Sequence, residues 1–100
     1  MIRHEVIIRV KPGVSRERID QALRQARDLA AAIPGIERVR TGANNAPEYR
    51  HAMVVFELRD EMALHRMRRH PAHARAVRAM ALLAESTAVG SYLITSDKAR

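Results

Sequence analysis

Cysteine is absent from all 100 residues, which excludes disulfides, thiolate metal sites and cysteine nucleophiles together. Tryptophan is also absent, and Phe56, Tyr49 and Tyr92 are the only aromatic residues. A sheet that reads single-stranded nucleic acid by stacking bases on aromatic rings cannot be built from so few. The four glycines, Gly13, Gly35, Gly42 and Gly90, stand alone, so no glycine-rich phosphate loop exists. Ser15, Ser86, Ser91 and Ser96 lack the surroundings of a nucleophile elbow, and no pair of carboxylates is placed for acid–base work on a glycoside. No apolar run approaches the roughly 18 residues of a membrane span. The amino terminus enters a strand pattern at once, so no secretory leader is expected and the cytoplasm is the expected location. The chemistry left open is proton transfer by histidine, or binding without reaction.

What is present is a single basic domain, with 18 Lys and Arg against 11 Asp and Glu and a net charge of +7. Between Met62 and Ala84 lie Arg66, Arg68, Arg69, Arg75 and Arg78 without one carboxylate. Such a run attracts anions, and it is equally a solvated helix face. Nucleic acid and membrane are not expected as partners.

Residues 2–11 alternate strictly, with Ile2, His4, Val6, Ile8 and Val10 on one side, the signature of a strand. Pro12-Gly13 turns the chain and Ser15 caps a helix. Its apolar stripe, Ile19, Ala22, Leu23, Ala26, Leu29, Ala30 and Ile33, runs unbroken to the stop at Pro34-Gly35. A second strand is predicted over 36–41, a turn-rich loop over 42–47 and a third strand over 49–58. The third strand puts Tyr49, His51, Met53 and Val55 on one side; neither of its sides is wholly polar, so burial on both is expected. Asp60 caps a short helix to residue 69, Pro71 opens another over 71–84, and a last strand covers 88–95 before a frayed tail at 97–100. The order β-α-β-β-α-β is the split βαβ, ferredoxin-like arrangement of the α+β class: a four-stranded antiparallel sheet with its helices on one side. The other side carries Ile7 and calls for a second subunit, giving a homodimer.

Two histidines stand on apolar stripes. His73 is in helical register with Ala76, Val77, Met80 and Leu83, where burial keeps an imidazole neutral and able to act as a general base within about 3 Å of an acidic proton. His4, between Ile2 and Val6, is either a core histidine satisfied by one hydrogen bond or a cavity residue that positions a ligand oxygen. His51 touches the same pocket or the subunit interface. His65 and His70 face solvent or cap a helix end. His70 and His73 are too few for a structural zinc site, and neither metal nor cofactor is expected.

The segments Ile2-Arg3-His4, Lys11-Pro12-Gly13-Val14-Ser15, Ile33-Pro34-Gly35-Ile36, Tyr49-Arg50-His51, His70-Pro71-Ala72-His73 and Ser91-Tyr92 together resemble the stress-responsive alpha/beta-barrel (Dabb) domains, over nearly the whole chain. The resemblance implies a ferredoxin-like protomer whose sheets pair back to back into a dimeric α/β barrel. Many members have no established activity; one plant member is a polyketide cyclase working by an aldol-type reaction. By that resemblance the general base falls on His73 and the other pocket histidines on His4, His51 and His70. The cyclase's catalytic tyrosine is replaced by Met67, whose thioether cannot donate a hydrogen bond. Tyr92 is a further candidate ligand contact. The expected function is binding of a small hydrophobic or aromatic carbonyl compound, with proton transfer on a carbonyl or phenolic group through His73 and His4. The alternatives are a noncatalytic stress or interaction protein acting as a homodimer, and a cofactor-free monooxygenase-like enzyme, the latter by fold analogy.

Overall fold

Alternation in residues 2–11 becomes the strand β1 (Ile2–Val10), whose even-numbered side chains meet the core. The computed structural model describes residues 1–44 and 50–95; Tyr49, residues 45–47 of the loop over 42–47 and the tail at 97–100 lie outside the described residues. After β1 come α1 (Arg16–Arg27), α2 (Leu29–Ala32), β2 (Ile36–Ala43), β3 (His51–Leu58), α3 (Glu61–Arg69), α4 (Pro71–Leu83) and β4 (Ala84–Leu93). The sheet order is β2-β3-β1-β4, antiparallel throughout, so the fold is the ferredoxin-like α+β arrangement expected.

Local chemistry sets the boundaries. Ser15 Oγ accepts from Arg18 N at 3.2 Å and Asp60 Oδ1 accepts from Ala63 N at 2.9 Å, each satisfying an otherwise orphaned amide at a helix start. Along α1 the alternating charges give an Arg16–Asp20 pair at 3.1 Å. Arg50 donates to the carbonyls of Val14 and Lys11 at 2.6 and 3.0 Å, tying the Pro12-Gly13 turn to the start of β3.

The single helix predicted up to Ile33 is instead two. The chain leaves α-helical spacing at Asp28, and Ala31 N bonds to Asp28 O at 3.2 Å in the tighter i to i+3 pattern. The last strand starts at Ala84 rather than residue 88, running straight out of α4 with no loop. β2 runs on to Ala43, and Asn44 closes the hairpin by accepting from His51 N through its side chain at 2.8 Å.

Helices cover one side of the sheet, over Ile8, Val54, Phe56 and Leu58, all nearly or wholly inaccessible. α1 packs on β2, β3 and α4, and α3 packs on β3 and α4, whereas β4 has no helix closely over it. The outer side presents Ile7 and Met53, neighbours in register, both exposed; Val55 on that side is buried, flanked in register by Glu5 and Arg40.

Gly35 illustrates how tightly α3 is docked. Its φ is +95°, and a Cβ there would lie 2.6 Å from Ala63 Cβ. Gly35→Ala combines a left-handed backbone penalty with overpacking against α3, and is expected to cost about 2–4 kcal/mol. Urea unfolding of the two proteins measures it; equal midpoints would show that α3 yields freely.

Candidate functional site

β1 is a central strand, so His4 has a neighbour on each side: Phe56 on β3 and Ser91 on β4 are its register partners. The imidazole leans on the Phe56 ring at a centroid distance of 5.9 Å, and its Nδ1 hydrogen-bonds with Ser91 Oγ. The side chain is only 5% exposed. Pinned from both sides, the ring has Nε2 left for other partners.

The second histidine is placed by a proline. His70, just before Pro71, is held extended (φ −79°, ψ 134°) as the proline ring requires. Pro71 then occupies the first helical position, where its missing amide costs nothing, and His70 Nδ1 accepts from Ala72 N at 3.0 Å. His73 follows on the face of α4 that buries Ala76 and Met80. It has no hydrogen bond or ion pair to another described residue.

Both imidazoles line one void of about 320 Å³ between the sheet and α4. Its floor is Ile8, Ala26, Val54 and Phe56, and among the described residues its polar lining is His4, Arg68, His73 and Thr87. It opens between Val77 on α4 and Val89 on β4, where no helix covers the sheet. A wider concavity of about 550 Å³ around Met1, Asp60 and Tyr92 holds neither histidine.

The electrostatics favour neutral rings. Burial pushes His4 below the ordinary histidine value, helped by the Arg68 charge and then by His73. Burial lowers His73 as well, again with Arg68 as the second cause. Because the folded rings resist a proton that the unfolded chain accepts, stability rises with pH across the interval between the lowered values and about 6.5. Stability is therefore expected to be full above pH ~6.5, to fall as acid is added through that interval, and to level off below it. Urea midpoints between pH ~7.5 and ~5 measure this, and the double variant His4→Asn/His73→Asn should flatten the slope. An unchanged slope in that variant would assign the acid sensitivity to other groups.

Of the six residues singled out in the sequence, the structure brings His4 and His73 together and places four elsewhere. His51 is opposite Arg9 on the outer side of the sheet, beside Ile7 and Met53. His70 is the cap of α4. Met67 is fully buried in the core and is not part of the void's wall. Tyr92 pairs with Arg3 on the outer side, where the nearby Glu5 carboxylate is the chief cause of its raised pKa.

Arg68 is the site residue that residue type alone does not reveal. It sits among Arg66 and Arg69 on one helix, yet only Arg68 is four residues from buried Leu64, the spacing that carries it to the core side. Among the described residues no group of three or more potential metal ligands converges, and no helix is long and apolar enough to cross a membrane.

The sequence pattern that defines the stress responsive A/B barrel domain matches residues 2–92. No curated protein matches the sequence. Among solved structures, a protein from Arabidopsis thaliana superposes with a TM-score of 0.84 at 21% identity, over 99% of this chain and all of its own. A dimeric ferredoxin-like protein of unknown function from Thermobifida fusca gives 0.78 at 25% identity, over 93% and 90%. A hydroxynitrile lyase from Passiflora edulis gives 0.80 at 19% identity, over 98% and 96%.

Proposed function

The chain belongs to the stress responsive A/B barrel domain family, and we propose that its cavity binds a small apolar carbonyl or phenolic compound and moves a proton on it. The observation that carries this reading is the pair of neutral-held imidazoles sharing one alkyl-walled void. An engineered void of about 150 Å³ admits benzene, so about 320 Å³ suits a substituted single ring. His73 takes the proton and becomes imidazolium, while the electron pair left behind moves onto the carbonyl oxygen as an enolate. His4, accepting from Ser91 at Nδ1, donates from Nε2 to that oxygen. The hydroxynitrile lyase of the same fold supports proton-transfer chemistry as within the reach of such a protomer.

A noncatalytic protein would be expected to close the interior and tie both rings to backbone. Here the void opens beside β4, His4 is tied to a side-chain hydroxyl, and His73 has no described partner. The protein is also proposed to pair with a second copy through the outer side of the sheet, in keeping with neighbours described as dimeric.

Deuterium exchange tests the chemistry. With 1-phenylbutane-1,3-dione as probe in D2O, the protein is expected to accelerate loss of the acidic methylene proton saturably, and to show NMR shifts at His4 and Val54. Shifts without acceleration would leave a binding protein; the absence of both shifts and acceleration would remove the cavity reading.

A further inference from the structure

Arg68 lines the void but has no hydrogen bond or ion pair to any described residue, although it is exposed and long enough to find one. Among the described residues no carboxylate lines the void, and none occurs on the chain between Met62 and Ala84. Burial and the arginine itself disfavour a charge on the two imidazoles beside it, so they do not share its role. Among the described residues, therefore, no carboxylate compensates the positive charge at the exposed border of this apolar chamber. The first turn of α4, the positive end of that helix, supplies His73 to the same chamber. An apolar guest alone leaves this charge unanswered, whereas a guest with one anionic oxygen pair matches the planar guanidinium fork.

We propose that Arg68 makes this cavity selective for organic acids: compounds whose apolar ring or chain fills the void and whose carboxylate pairs with the guanidinium at its mouth. The proposal rests on the cavity being a ligand site, and it names the chemical class of the ligand. It places the reacting carbon next to a carboxylate held at a fixed point, which in turn fixes which proton faces His73. Arg68 is thus a specificity residue, acting on the ligand directly.

Benzoate and benzamide separate the two questions, since they share size and shape and differ in charge. Binding is read from NMR shifts of His4, His73 and Val54 in the intact protein. Benzoate is expected to bind about tenfold more tightly than benzamide, the size of one partly exposed charge-assisted contact. Arg68→Gln should erase that preference while benzamide binds as before, which also shows that the variant is folded. Arg68→Lys should keep part of the preference, and salt should weaken it in the original protein but not in Arg68→Gln. Equal affinities for the two probes, or a preference that survives Arg68→Gln, overturn the proposal and leave the cavity reading standing. If neither probe shifts the cavity residues, both fall.

Discussion

Replacing His73 by glutamine is expected to slow deuterium exchange into 1-phenylbutane-1,3-dione by about 10²–10⁴-fold, the usual contribution of a positioned general base. Glutamine keeps the approximate size and a hydrogen-bonding end but has no group that takes a proton near neutral pH. The alkyl floor of Ile8, Val54 and Phe56 is untouched, so the probe should still enter and the loss should appear in kcat with KM little changed. The pH profile supplies a second readout. Burial and Arg68 lower the His73 pKa, so the base form persists below pH ~6.5, the ordinary histidine value. Exchange by the original protein should therefore fall only at more acidic pH, and the glutamine variant should lose that limb. His4→Asn removes an oxygen anchor rather than the base, and about a tenfold loss is expected. Unchanged kcat in His73→Gln would eliminate proton transfer by His73 and favour a noncatalytic member of the family.

Which parts of this molecule can be read from sequence depends on whether burial imposes a period. β1 is read correctly because one of its sides packs against helices and the other does not, so its residues must alternate. β4 is misplaced for the opposite reason. It is an edge strand without a helix closely over it, and its Ala, Ser, Thr and Gly residues carry little pattern, while its start is not marked by any loop. The break at Asp28 is invisible because Ala26, Leu29 and Ile33 remain buried across it. The same logic divides the site. His4 and His73 interrupt apolar stripes and can be found, but Arg68 has the composition of an ordinary solvated helix face. For His51, alternation groups it correctly with Met53 and Val55; since both sides of β3 are apolar, nothing in the sequence says which side faces the helices.

Ile7→Asp is expected to convert the proposed dimer into a monomer at micromolar concentration, measured by light scattering after size exclusion of both proteins. Ile7 and Met53 are 42% and 40% exposed at the centre of the outer sheet side, with Ala88 beside Ile7 in register. Around them stand Arg3, Glu5, Arg40 and Glu57, joined by ion pairs of 3.8–3.9 Å. An apolar centre with a charged rim is the anatomy of a protein interface. In a two-fold dimer each substitution enters twice, and a carboxylate buried there also meets the acidic Glu5 of its own strand. At about 2–4 kcal/mol per copy, the dimer loses roughly 4–8 kcal/mol, enough to bring a nanomolar complex to the micromolar range or weaker. The cavity is on the opposite side of the sheet from Ile7 and Met53. Proton transfer should therefore survive in the Ile7→Asp monomer. If exchange activity vanishes as the mass halves, the second subunit must complete the site, and a one-chain cavity is wrong. A dimer that persists would place the subunit contact on another surface and leave Ile7 and Met53 as solvent-facing residues.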